Sequence, residues 1–411
     1  SIVSLKRRDL MNPSLKRVLI LRYKPALILL VSLILGIYFF QTVAGVTSWK
    51  NDYKYFHSKA ATVDFDKQIQ DSYSFDDGQG GKIFLYYDLA KEHAVYTDSF
   101  DDYKDYTLTV FNSKTDSNQQ AFNAYSYYNE HFLIMLIIVV SSGVLLFLFD
   151  LKSNFTAALF SSRFKRSEIY WHKLSIVGLT IAASLLIGKL GSLLAYQFFI
   201  PNEFLNITLY QHLISTLSGW LTLISVFVLS SFIGLLFGEW LYGIATIIVL
   251  FFTFSTFLSN VDMVYSNFFV NESDITYTVS ANALTRYLPV AQTTTLGINV
   301  LSLVTIIVLA ILALVLGNSI FKKISLEQTG DFLMVPQFNR LFQVIMIIYG
   351  MTITTTSTIL TTLLPDTPLT KSELFFNVSY ILLMFIVFFL ASEFLLFNKK
   401  SIIINKINVF N

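Results

Sequence analysis

The chain has 411 residues, of which 54% are hydrophobic and only 14% charged, with a mean hydropathy of +0.59. Soluble domains average about 25% charged residues, so a water-soluble chain of this size could not cover its own core, while 39 Phe and 22 Tyr exclude disorder. A net charge of +2 is too small to indicate a nucleic-acid partner, and the absence of cysteine excludes disulfides, thiolate metal sites and cysteine nucleophiles. These figures predict a polytopic membrane protein.

Residues 1–24 carry Lys6, Arg7, Arg8, Lys16, Arg17, Arg22 and Lys24 ahead of the first apolar run, 25–47. That run lacks a small-residue cleavage site and is expected to span rather than be removed. Further runs long enough to cross a bilayer lie at 132–149, 174–199, 211–236, 239–258, 293–317, 341–363 and 374–397. The expectation is therefore an all-α polytopic protein of about eight transmembrane helices, with both termini on one side. If the termini are cytoplasmic, the cytoplasmic segments hold 18 Lys and Arg against 7 Asp and Glu, and the external ones 10 against 20. The positive-inside rule thus places both termini in the cytoplasm. Trp49, Trp171 and Trp240 fall at predicted interfaces, whereas Trp220 falls mid-span.

Between the first two spans, residues 48–131 contain fourteen acidic residues, eight Lys, no Arg and eleven Tyr. Lys82–Leu89, Ala94–Phe100 and Tyr106–Asn112 read as a small β-meander, and the flanks Trp49–Gln70 and Thr115–Glu130 as helices. Together they predict a small α+β extracellular domain. A second external loop spans 259–292 and carries Asp262, Glu272, Asp274 and Arg286. A cytoplasmic linker at 318–340 precedes the last two spans and the tail, 341–411.

No chemistry-bearing motif is complete. Gly78-Gln79-Gly80-Gly81-Lys82 has Asp76 where a phosphate loop needs Gly and Ile83 where it needs a hydroxyl, and reads as a turn. His57, His93, His131, His172 and His212 are scattered. Asp64 and Asp66, and the run Asp98, Asp101, Asp102 and Asp105, lack the Gly and Glu of a calcium loop and read as a solvated acidic face. No catalytic, cofactor-binding or metal-ligating residues are expected in this chain.

The segment 155–173 between spans two and three is more specific. Phe155 and Leu159 share one helical face, Phe160 lies at its edge, and Arg163, Lys165, Arg166 and Glu168 supply charge beyond it. Ser167 is placed to cap a helix running into the third span. On residues alone this is an interfacial helix meeting lipid phosphate.

The order of these parts resembles the permease subunits of ABC-2 type transporters. Asn12–Lys24 is similar to their basic amphipathic lead-in helix, and Phe160-Ser161-Ser162-Arg163 with Arg166, Glu168 and Lys173 to their coupling segment. Ser161-Ser162 stand where Leu-Pro is more usual. The resemblance covers residues 12–317, and Lys322–Phe332 is similar to a linker in larger members. It implies a six-helix core plus a C-terminal helix pair, an exporter role in a bacterial cell membrane, and a second permease subunit. ATP would bind at a separate ATPase subunit, with no cofactor held by this chain. Phe155, Leu159, Phe160, Arg163, Lys165, Arg166 and Glu168 would couple to that ATPase. The acidic, Tyr-rich ectodomain suggests a bulky or cationic amphipathic cargo such as an antimicrobial peptide.

Two rival classes stand beside this reading. One is a membrane sensor or scaffold whose ectodomain binds a ligand without transport. The other, an intramembrane enzyme, lacks paired carboxylates or a nucleophile within its spans. Lys189 lies inside the third span and reads either as part of a translocation path or as snorkelling to the interface. Ser184, Gly188 and Ser192, Gly234 with Gly238, and the hydroxyl-rich run Thr352–Thr362 all read as helix packing.

Overall fold

The computed structural model describes residues 13–72, 81–88, 93–112, 123–124, 127, 132–162, 164–205, 209–269, 300–325, 329–364 and 368–397. Asn12, Arg163, the loop beyond Phe269 with Glu272, Asp274 and Arg286, and the tail after Phe397 lie outside the described residues. The helices are α1 (Pro13–Phe56), α2 (Lys59–Ser72), α3 (Phe100–Leu108), α4 (Phe132–Lys152), α5 (Phe155–Phe160) and α6 (Arg166–Phe199). They continue with α7 (Asn202–Leu205), α8 (Leu209–Leu236), α9 (Trp240–Phe269), α10 (Val300–Lys323), α11 (Asn339–Leu363) and α12 (Lys371–Phe397).

Seven of these, α1, α4, α6, α8, α10, α11 and α12, are long and apolar enough to cross a membrane. The eighth expected span falls in α9, whose described apolar stretch, Trp240–Phe254, is shorter. The class read from composition therefore holds: a mainly helical, polytopic membrane protein.

α6 and α8 occupy the centre. α1 lies along α6, α4 along α8, and α10 against both, while α9 bridges α4 to the α11–α12 hairpin. Small residues set these approaches. A Cβ at Gly234 would collide with the Val144 backbone, and one at Gly143 with Ser230, so α4 and α8 meet almost backbone to backbone. On α6, Gly188 lies under the Tyr38 ring and Ser192 accepts the Thr42 hydroxyl at 2.7 Å, which makes the expected small-residue stripe the seat of α1. Trp220, the mid-span tryptophan, donates its indole N–H to the Ala182 carbonyl at 2.7 Å, tying α8 to α6.

The lead-in helix and first span are one unbroken helix. α1 has 44 residues with Pro25 inside it, about 66 Å at 1.5 Å per residue, roughly twice a hydrocarbon core of about 30 Å. Pro25 removes one backbone hydrogen bond without breaking the helix, as membrane helices tolerate. Leu15, Leu19 and Tyr23, four residues apart, are buried in the main core, whereas Val18 and Leu21 remain exposed. The lead-in turns thus dock on the bundle along one stripe.

The polar segment is α+β, but not the predicted meander. β1 (Ile83–Asp88) and β2 (His93–Thr97) form an antiparallel hairpin with a bulge between Phe84 and Tyr86. The expected third strand, Tyr106–Asn112, is instead the end of α3 followed by the two-residue β3 (Phe111–Asn112). Ser99 caps α3 by accepting the Asp102 N–H, and Asp101 and Asp102 sit in its first turn, where the helix dipole favours carboxylates. That local cap outweighs the strand propensity of Tyr, Thr and Val. Within the expected helical flank 115–130, β4 (Asn123–Ala124) pairs with β3. The segment is fastened to the bundle where Trp49 donates to the Leu108 carbonyl (2.9 Å), Tyr196 to the Tyr127 carbonyl (2.7 Å) and the Val110 N–H to the Phe204 carbonyl (2.8 Å).

In α11 the hydroxyls of Thr352, Thr354, Thr355, Thr356, Thr361 and Thr362 donate to carbonyls one turn back. Bonding to the preceding turn is what such hydroxyls in an apolar helix are expected to do. The link before α11 pairs with the α8–α9 turn: Met334 N–H donates to the Leu236 carbonyl (2.7 Å) and Gly330 N–H to the Gly238 carbonyl (3.1 Å). Gly330 turns there with φ +104°, a conformation that favours glycine.

Candidate functional site

The candidate site is the elbow between α4 and α6, the segment singled out in the sequence. α4 ends at Lys152, whose ammonium lies 3.5 Å from the centre of the Trp240 ring. Asn154 then adopts a left-handed conformation (φ 56°), which an asparagine tolerates, and turns the chain into the six-residue α5. Leu159 is fully turned in, and Phe155 and Phe160 are half-buried against the main core. Phe160 meets Phe321 of α10 edge to face, ring centres 5.3 Å apart.

Two cations at the elbow, Arg22 and Arg166, are committed to the chain itself. The Arg22 guanidinium, reaching from α1, lies 5.3 Å from the centres of both the Phe149 and Phe155 rings and donates to Ser153 Oγ at 2.9 Å. Arg166 lies over Phe160 at 4.3 Å and donates to the carbonyls of Lys322 (2.9 Å) and Ile324 (2.7 Å). It therefore caps the end of α10, where unpaired carbonyls and the helix dipole favour a cation. Ser167 does not cap α6 as expected. Its hydroxyl donates to Asn318 Oδ1 at 2.8 Å, and the capping position is Lys165, whose backbone N–H is accepted by Glu168. Asn154, Ala158, Ser161, Lys165 and Glu168 remain exposed and form the outer face.

Directly under the elbow lies a group that the sequence reading passed over. Lys173 Nζ and Asp150 Oδ2 are 2.7 Å apart, with neither side chain exposed, and the Tyr23 hydroxyl donates to the same oxygen. The pair joins α1, α4 and α6 at one point, with Phe147 packed against the ammonium. Opposite charges just beyond the ends of consecutive spans were the available signal. In sequence Asp150 is an ordinary flanking residue, and Lys173 is marked only by the resemblance. Such a pair, taken out of water, costs several kcal/mol per ion to desolvate and is costly to break one-sidedly.

The remaining expected residue, Lys189, is 8% exposed in α6, so the protein itself covers it. Among the described residues no cluster of His, Asp and Glu fits a metal ion. No family model, curated protein or solved structure matches this chain.

Proposed function

We propose that the chain is the permease subunit of an ATP-driven transporter of the ABC-2 kind, an exporter working with a separate ATPase and a second permease subunit. The observation that carries this reading is the construction of the elbow. Its apolar and cationic side chains, Phe155, Leu159, Phe160 and Arg166, are locked onto α1, α6 and α10, so a push on the outer face moves several spans together. The ATPase would engage that outer face through Ala158, Ser161, Lys165 and Glu168, not through the aromatic anchors. In this proposal both termini and the elbow are cytoplasmic, eight helices span the membrane, the α+β segment is external, and ATP stays on the partner. Lys189 lines the translocation path, and the acidic external segment receives a cationic amphipathic cargo.

The test is purification of the chain from its native membrane together with assay of ATP hydrolysis. The proposal expects a co-purifying ATPase whose turnover rises on addition of an amphipathic peptide. A chain that binds such a peptide yet never brings an ATPase with it is a sensor or scaffold. Topology is checked separately in this cysteine-free chain: Lys104→Cys and Lys323→Cys should label from opposite sides of intact cells, and labelling of both from outside contradicts the arrangement.

A further inference from the structure

Beyond the elbow, a groove of about 590 Å³ runs along the seam between α1 and α6. On α1 it extends from Leu35 to Lys50, about 22 Å at 1.5 Å per residue. That is about half the 40–45 Å of a bilayer with its headgroups, hence one leaflet deep. Its floor is made of small residues, Gly188, Gly191, Ser192 and Ala195, and its walls are mainly apolar. A cation closes one end. Lys50 is exposed there, its ammonium 4.5 Å from the centre of the Phe199 ring, one residue beyond Trp49. Among the described residues Lys50 forms no ion pair, and the nearby Asp52 is engaged by the Tyr127 hydroxyl.

Length, lining and charge select the occupant. A polymethylene chain, whose width is set by carbon contacts of about 4 Å, fits a mainly apolar groove one leaflet long. Gly191 leaves open space where a side chain would otherwise stand. The cation at the headgroup end complements a phosphate.

We infer that the α1–α6 groove is a binding site for one acyl chain of an anionic membrane phospholipid, with Lys50 holding the headgroup phosphate. This site stands independently of any ATPase partner.

The experiment uses the full chain in nanodiscs containing a phosphatidylglycerol with a photoactivatable acyl chain, and the same probe as phosphatidylcholine. Adducts are mapped by mass spectrometry. The expected adducts fall on 35–50 and 187–199, with phosphatidylglycerol labelling at least about threefold above phosphatidylcholine. Gly191→Leu, which fills the floor, should cut labelling at least about fivefold. Gly36→Leu, equally free of neighbours but outside the groove, should leave it unchanged. Lys50→Gln, an exposed change that spares the fold, should erase the preference for the anionic lipid. Adducts spread evenly over exposed apolar surface, equal labelling by the two lipids, or chain-to-chain cross-links across this seam in place of lipid would each overturn the assignment.

Discussion

At the end of the molecule where α10 gives way to α11, two ion pairs tie neighbouring helices together under very different conditions. Asp150 and Lys173 meet at 2.7 Å with no exposed side-chain surface, beneath an elbow that α1 and α10 also clamp. Arg340 and Glu393 join α11 to α12 at 3.1 Å with side chains 69% and 38% exposed, and Gln343 donates to the same carboxylate oxygen at 2.7 Å. The geometry is similar; the solvation is not. An exposed pair is screened and replaceable by water, whereas a buried pair is unforgiving of the loss of one partner. The contrast extends to burial: half of the apolar stretch of α4 and of α8 lies inside the protein, whereas none of the corresponding stretch of α12 does, and its Phe375, Phe376, Leu382 and Leu390 point outward.

The largest expected effect breaks the buried pair. Lys173→Met alone should destabilise the bundle by about 3–5 kcal/mol in detergent unfolding experiments, because it strands the Asp150 charge. Adding Asp150→Leu and Tyr23→Phe, which removes the stranded carboxylate and hydroxyl, should recover most of that loss. A second effect sharpens the picture of the bundle's close packing. Gly234→Ala drives a methyl into the Val144 backbone and should cost about 1–3 kcal/mol. Gly36→Ala, which meets nothing, should be neutral or stabilising by up to about 1 kcal/mol. The smallest effect belongs to the exposed pair: Arg340→Gln should change stability by less than about 1 kcal/mol, a difference that salt shrinks further.

Much of this architecture was legible from residue order. The apolar runs correspond to the long helices, and the hydroxyl-rich stretch of α11 bonds its own preceding turn, because both follow from local chemistry. The strand expected at Tyr106–Asn112 gives way to the end of α3, whose Ser99 cap outweighs side-chain propensity. The inward use of Arg166 was not legible, since its partners, the carbonyls of Lys322 and Ile324, are distant in sequence. Nor was the Tyr23–Asp150–Lys173 cluster, whose members are unremarkable span-flanking residues until three helices bring them together.

We propose that the outer face of the elbow receives the push of an ATPase. The most direct measurement places single cysteines at Ala158 and at Lys165, and as a control at Leu194, which is 63% exposed on α6 away from the elbow. Each variant carries a thiol-linked photocross-linker in native membranes. Adducts are expected from Ala158 and Lys165 to a polypeptide that also takes up an azido-ATP label, and none from Leu194. Adducts only to lipid at all three positions, or to a partner that does not bind ATP, would contradict it.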